Sequence, residues 1–373
     1  MRSGEKIAGL IVAGGYSSRM GVFKPLLPLG EKTVIETAVD SLRRAGIKDI
    51  RVVTGHNAAE LSPVLERLSV KVIENTSYAD GMFSSVRAGV SSLAGEAEAF
   101  FLLPGDTPLI RRHSVKDILQ VYRKTGAAVV YPVFAAERGH PPLISAQCFA
   151  RILAHDGTGG LRNVLTQFDA TAREVDVADQ GILMDVDTQE DYRKLVEYHR
   201  RRQIPTPAEC DAMLKKYQED GGVARHGRAV AAVGCSLAES LNQTGLQLDL
   251  ELVAAGALVH DVAKGKRNHS KRGGKLAACW GFSALSGIIA SHMDMEFSAD
   301  GIIDETAIVF LADKLVQDDR RVNFLERFRP ALDRFSGNQE VLASIRRKIE
   351  TAEAIGAKTL QRLGLQSFDE LQV

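Results

Sequence analysis

Two groups of residues in this sequence have the types and spacing that phosphate chemistry needs. In Gly9-Leu-Ile-Val-Ala-Gly-Gly-Tyr-Ser-Ser-Arg-Met-Gly21 an apolar run enters a glycine-rich turn carrying Arg19, and Lys24 follows in Phe23-Lys-Pro-Leu-Leu27. With Ala13, the glycines Gly14 and Gly15 let backbone N–H groups approach a triphosphate, while Arg19 and Lys24 bring positive charge to a pyrophosphate leaving group. The spacing matches neither G-x-x-x-x-G-K-[ST] nor G-x-G-x-x-G, so the cradle is of another type. The second group is His260-Asp261, inside the apolar segment 250–263, with His226 upstream and Asp313 downstream. An imidazole and a carboxylate side by side can bind one metal ion when helix packing turns both inward.

These residues need elements to hold them. Up to about residue 200, short apolar runs alternate with helical patterns, as expected of βα units around a mostly parallel sheet. Strands are expected at 7–12, 50–53, 70–73, 99–103 and 127–131. Ile35, Ala38, Val39 and Leu42 recur at helical spacing between the first two, and Gly46 stops that helix. The fold class is therefore α/β, a Rossmann-like doubly wound sheet. Asp106 follows the apolar run 100–103 at the carboxyl end of a strand, where open sheets place their ligands. Ser84 and Ser85 sit in a small-residue turn opening a helix, where their hydroxyls either read a base or ribose or cap the helix.

After His199-Arg-Arg-Arg-Gln203 come Pro205 and Pro207, which cannot continue a helix, and the domain boundary is expected there, giving 1–203 and 204–373. Beyond it only helical periods are found: Val230, Val233, Leu237 and Leu241, then Leu252, Leu258, Val259 and Val262. The second domain should be all-α.

Composition narrows the function classes. The 373 residues carry 47 Lys plus Arg against 47 Asp plus Glu, with no basic block, which argues against nucleic acid as a partner. No apolar run is long enough to span a membrane. Arg2 and Lys6 ahead of the segment 7–15 superficially resemble a secretory leader, but a buried strand entering a glycine turn explains the same residues. The four cysteines form no C-x-x-C pair, and a reducing cytoplasm is the expected location.

The first half resembles the nucleotidyltransferases that include the molybdenum cofactor cytidylyltransferases and guanylyltransferases. Beyond the glycine turn, the resemblance is carried in family order by Val52-Val-Thr-Gly-His56, Asn75-Thr-Ser-Tyr-Ala-Asp-Gly-Met-Phe-Ser-Ser-Val-Arg-Ala-Gly89, Pro104-Gly-Asp-Thr-Pro108, Arg138-Gly-His-Pro141 and Asp185-Val-Asp-Thr-Gln-Glu-Asp191. It implies Mg²⁺ held by Asp106 with Asp187 as partner acid, although Asp187 could instead cap the next helix. It also implies nucleotide contacts from Gly81, Ser84 and Ser85, and an acceptor-side role for His140. The implied reaction is attack of an acceptor phosphate on the α-phosphorus of CTP or GTP, catalysed by positioning and charge neutralisation from Arg19, Lys24 and Asp106. The implied acceptor is molybdopterin, and a recipient molybdoenzyme or its chaperone would be the downstream partner. Ala13-Gly-Gly15 is closer to the guanylyl branch, whereas 81–86 and 138–141 look like the cytidylyl branch; a different small phosphorylated acceptor is the alternative.

The second half resembles the HD-domain metal phosphohydrolases through His226, His260, Asp261 and Asp313. Such ligands on separate helices would hold Mn²⁺, Fe²⁺ or Mg²⁺. His269 and His292 are candidates for a second metal position, and Lys264 for a substrate phosphate. A nucleotide-sensing, non-hydrolytic role is the alternative for this domain.

Overall fold

The computed structural model describes residues 5–15, 21–218, 221–298 and 300–371, so Arg19 lies outside the described residues. Internal contacts divide the chain into two compact units, Met1–Arg201 and Arg202–Val373.

In the first unit the strands are β1 (Ile7–Val12), β2 (Pro28–Leu29), β3 (Lys32–Thr33), β4 (Asp49–Thr54), β5 (Lys71–Glu74), β6 (Ala99–Pro104), β7 (Val129–Phe134), β8 (Glu137–Arg138), β9 (Leu143–Ser145) and β10 (Arg173–Asp176). Its helices are α1 (Val34–Arg44), α2 (Ala58–Leu68), α3 (Met82–Leu93), α4 (Arg112–Thr125), α5 (Phe149–Ala154), α6 (Gly160–Thr166) and α7 (Gln189–Arg200). The main sheet runs β10-β7-β9-β6-β1-β4-β5, with β8 paired to β7, while β2 and β3 form a separate hairpin. β4 and β6 flank β1 in parallel, β5 extends beyond β4, and β9 runs antiparallel to both β6 and β7. The result is a mixed, mostly parallel sheet of the Rossmann-like type. Every residue of β1 from Ile7 to Ile11 is buried, which is why that strand reads as an unbroken apolar run.

The chain passes from β1 to β4 and β5, then crosses back to lay β6 on the other side of β1. Strand order reverses there, opening a crevice beyond the carboxyl ends of β1 and β6. The strand expected at 127–131 lies at Val129–Phe134 instead, running through Pro132, whose carbonyl still accepts from the Gly139 N–H (2.9 Å). β10 gave no apolar run because it is a polar sheet edge in which only Val175 is even partly buried.

α3 approaches β1 through Gly89, where an added Cβ would sit 2.5 Å from both Leu10 methyl carbons. Gly89→Ala is therefore expected to destabilise this unit by about 1–3 kcal/mol, the usual cost of overpacking, as a lower midpoint in urea unfolding.

The second unit holds α8 (Pro207–Tyr217), α9 (Gly222–Gln243), α10 (Leu250–Val259), α11 (His269–Trp280), α12 (Ser283–Ser291), α13 (Glu305–Lys314), α14 (Phe324–Arg334) and α15 (Gln339–Leu363). Val230, Val233, Leu237 and Leu241 of α9 are buried against α10 and α13, as their spacing predicts. Between α13 and α14 lies a hairpin, β11 (Val316–Gln317) and β12 (Arg320–Arg321), so the unit is helical with one small β element. Two-residue strands are too short to carry a period-two pattern.

One difference touches the chemistry. The helix expected through residue 263 ends at Val259, and 260–265 form successive turns in which Val262 N–H donates to Val259 and Lys264 N–H to Asp261. Gly265 closes the segment at φ 86°, a left-handed conformation that glycine adopts without strain.

Candidate functional site

In the first unit, the Gly105 N–H donates to the Val12 carbonyl (2.9 Å), which ties the end of β6 to the end of β1 and places Asp106 over the crevice. A cavity of about 410 Å³ opens there, lined among others by Ala13, Gly14, Gly15, Lys24, Gly81, Ser85 and Asp106. The Lys24 ammonium is 2.7 Å from Asp187 Oδ1 and 3.5 Å from Asp106 Oδ2, joining the carboxylate that follows β6 to one on the loop before α7, which a 3-10 turn at Gln180–Leu183 precedes and not a strand. Thr188, not Asp187, caps α7: its side chain accepts from Asp191 N–H, and the Asp191 carboxylate accepts from Thr188 N–H. Asp187 is thus not used as a cap, and its carboxylate meets the Lys24 ammonium instead.

Burial pushes the Asp106 carboxyl up from its ordinary range, against the pull of Lys24. Asp185 is pushed up as well, first by burial and then by the charges of Asp106 and Asp187. A third carboxylate therefore belongs to this group. A donor set of carboxylate oxygens beside a glycine cradle suits a hard cation such as Mg²⁺.

Ser84 and Ser85 open α3 but do not cap it; Gly81 occupies the N-cap without a side-chain bond. Both hydroxyls instead accept from the buried Asn75 amide, at 2.8 and 2.9 Å. Asn75 was read from the sequence only as the start of a family segment and given no role, although it directly follows β5. His140 is held by its own N–H donating to the Ile182 carbonyl (2.8 Å), and its Nδ1 has no hydrogen-bond partner. Burial pushes its imidazole pKa down. It is not one of the residues lining the cavity.

In the second unit, His226, His260 and Asp261 bring one ligand atom each within 4.8 Å of one another, and Asp261, His269 and His292 do the same. Asp261 is common to both groups. His269 Nε2 and His292 Nε2 lie 3.2 and 3.3 Å from Asp261 Oδ1 and 3.3 Å from each other. Asp313 Oδ1 stands 3.0 Å from His226 Nε2 and 3.6 Å from His260 Nε2. Lys264, half exposed, reaches Asp261 Oδ2 at 2.7 Å.

The ring tautomers decide what this cluster suits. Nδ1 of His226, His260 and His292 each lies 2.7 Å from a backbone carbonyl, those of Asp318, Ala257 and Ile289. Carbonyls only accept, so each Nδ1 carries a hydrogen and each ring turns its Nε2 towards the carboxylates. The buried His260 Nε2 has no hydrogen-bond partner at all. Imidazole nitrogens and carboxylate oxygens converging in this way fit a divalent metal. Burial would raise the Asp261 carboxyl, but His269, His292, His260 and Lys264 outweigh it and hold it far below the carboxylate range. For Asp313 burial is likewise outweighed, by Lys314 and three of the imidazoles.

Burial lowers the His260 pKa from the ordinary 6.5 to about 4. The folded state therefore favours the neutral ring, and the stability this confers is complete above pH 6.5 and is lost as the pH falls towards 4. Because metal binding also needs the neutral ring, acidification across that window should release metal and lower the melting temperature of this unit together, as followed by metal analysis and calorimetry.

A glycine cradle, a lysine and two carboxylates at the switch point of a Rossmann-like sheet define a nucleotidyltransferase, and the histidine–aspartate cluster of the helical unit defines an HD domain. The chain belongs to the MobA-like NTP transferase family: that domain is matched over residues 9–173, and an HD domain over 223–318. It is 30% identical over 184 residues to the molybdenum cofactor cytidylyltransferase of Escherichia coli (strain K12), covering 49% of this chain and 92% of that one. It is 28% identical over 175 residues to the bifunctional protein GlmU of Pelobacter propionicus, of which it spans 36%. Among solved structures it is similar to Rv0371c from Mycobacterium tuberculosis H37Rv, with 28% identity, a TM-score of 0.46, and coverage of 52% of this chain and 98% of that one. Among the described residues no helix is long and apolar enough to cross a membrane.

Proposed function

We propose that the first unit transfers CMP from CTP to molybdopterin or a closely related phosphorylated acceptor. A phosphate oxygen of the acceptor forms a bond to the α-phosphorus, the bond from that phosphorus to the β-phosphate oxygen breaks, and pyrophosphate leaves. The observation that carries this reading is the convergence of Lys24, Asp106 and Asp187 beside the glycine cradle. Lys24, with Arg19 of the same sequence segment, steadies the departing pyrophosphate, while Asp106 and Asp187 would hold Mg²⁺. That ion, when bound, supplies charge neutralisation at the phosphates. The acceptor oxygen is already anionic, so no strong general base is required. His140 is assigned to the acceptor side, and the likeness to a molybdenum cofactor cytidylyltransferase supports both base and acceptor. Incubation with molybdopterin, Mg²⁺ and each nucleoside triphosphate should release pyrophosphate fastest with CTP. A preference for GTP would assign a guanylyltransferase, and no release with any triphosphate would reject the reading.

The second unit we assign as a metal-dependent phosphohydrolase, supported by the partnerless His260 Nε2 among converging ligands. His226, His260, Asp261 and Asp313 would hold one ion, with Asp261, His269 and His292 holding a second. This imidazole-rich donor set favours Mn²⁺ or Fe²⁺ over Mg²⁺. Bound ions supply Lewis-acid charge at the scissile phosphate, and Lys264 is placed to contact that phosphate once Asp261 is taken by metal. The cytoplasm is the expected location of both activities.

A further inference from the structure

We propose that Lys314 is a positioning residue of the histidine–aspartate cluster: its ammonium takes one oxygen of Asp313 and the main-chain carbonyl of His292, so that Asp313 offers a metal ion a single oxygen and a coordination position stays free for water. The inference rests on the metal-centre reading of the second unit and adds to it the residue that decides how one ligand binds.

Lys314 is the last residue of α13 and is only 3% exposed. An ammonium so deeply buried is costly unless its hydrogens are used. It donates to the His292 carbonyl at 2.8 Å and to Asp313 Oδ2, and it lies 4.5 Å from the centroid of the Phe310 ring, within cation–π range. Ion pairs along a helix usually join residues three or four apart, because neighbours point about 100° away from each other. Lys314 meets its own neighbour because two further contacts draw it there: Phe310, one turn back on α13, and the carbonyl of the residue that caps α12.

The two oxygens of Asp313 are thereby divided. Oδ1 stands 3.0 Å from His226 Nε2 and 3.6 Å from His260 Nε2, facing the imidazoles with which it would share an ion, while Oδ2 is held by Lys314. A carboxylate with both oxygens free can ligate through one or through two. Lys264 offers the contrast: it also meets a ligand carboxylate, Asp261 Oδ2, but it is half exposed and can leave for solvent when a metal arrives. Lys314 has no such exit. Its bond to His292 reaches the other ligand group, since that imidazole lies 3.3 Å from Asp261 Oδ1. An ammonium has no lone pair to give a metal, so Lys314 ties Asp313 of one group to the backbone of His292 in the other without being a ligand in either.

Lys314→Met keeps most of the side chain's volume and removes its donors. Full-length chain carrying Asp106→Asn, to keep Mn²⁺ out of the first unit, is loaded with Mn²⁺ and desalted with and without this change. Metal analysis counts the ions, water-proton relaxation counts the rapidly exchanging waters on them, and hydrolysis of a generic phosphodiester gives kcat. With Lys314→Met the ions should stay bound and the exchanging waters should fall by about one per chain, the position that a second Asp313 oxygen fills. The kcat should fall by about 10–100-fold, the usual effect of removing a group that orients a metal ligand. A residue that served packing alone would lower the melting temperature and leave the water count of the folded, loaded variant unchanged, and that result overturns the proposal while the metal centre stands. Should the variant not fold or hold no ion, a crystal structure of the Mn²⁺-loaded wild type decides: Lys314 on Asp313 Oδ2 with Oδ1 alone on the metal upholds the proposal, and both oxygens on the metal overturn it. Wild type that retains no Mn²⁺ removes the metal-centre reading as well.

Discussion

Asp106→Asn should lower the rate of nucleotidyl transfer by about a thousandfold, near 4 kcal/mol of transition-state stabilisation, with little change in fold. Asparagine keeps the shape of the side chain and loses its charge, and Lys24 retains its 2.7 Å partner in Asp187, so the local packing survives. What disappears is the carboxylate that stands over the crevice where β1 and β6 end. Burial already works against the ionised form of Asp106, so its charge is maintained at a cost that packing alone would not justify. The same cause places the acid limb of the pH–rate profile above that of an ordinary aspartate, because the protonated carboxyl is no ligand. Lys24→Ala should lose rate too, through the unneutralised leaving group. Pyrophosphate release in single turnover, with circular dichroism of each variant alongside, gives the answer. Full rate in Asp106→Asn would displace the chemistry from this strand end.

Much of this site was legible in the sequence because its parts are local. Glycines that admit a phosphate, an apolar run that ends at Asp106 and the turn at Asp187 each announce themselves within a few residues. Long-range pairing did not. Nothing near Lys24 in the sequence indicates that its ammonium meets Asp187, since that contact is made only when the fold brings the segment after the glycine turn against the loop before α7. Asp185 was passed over for the same reason: its perturbation comes first from burial and then from the charge of Asp106, far away in the chain. The rival role of Asp187 as a helix cap could be settled only by geometry, which gives the cap to Thr188. Asn75 was given no role because a lone asparagine after a strand is ordinary turn chemistry, and its value lies in the two hydroxyls it reaches.

In the helical unit, ligand order was readable but ligand orientation was not. Periodicity carried α10 on through Ala263, whereas the helix stops at Val259 and His260 and Asp261 ride on a tighter turn. On a continued helix, adjacent side chains point about 100° apart. Here Asp261 instead faces His260, His269 and His292 together, and this makes it a bridge between the two ligand groups rather than a member of one.

That bridging position sets the largest effect expected from the second unit. Full-length chain carrying Asp106→Asn, to suppress binding in the first unit, should retain two Mn²⁺ or Fe²⁺ ions after desalting, and Asp261→Ala should reduce this to none. His226→Ala and His292→Ala should each leave one, because each belongs to one group only. Hydrolysis of a generic phosphodiester should fall by about a thousandfold or more in Asp261→Ala, as expected when the Lewis-acid charge is lost, and the variant should stay folded, since Asp261 sits at the end of a helix rather than in the apolar core around Val253 and Phe310. Metal analysis and activity read different things. Two ions held with no hydrolysis of any phosphoester would make the unit a sensor, and one ion lost in every single variant would make Asp261 an ordinary ligand. Retention of both ions in Asp261→Ala would remove the metal centre from this cluster altogether.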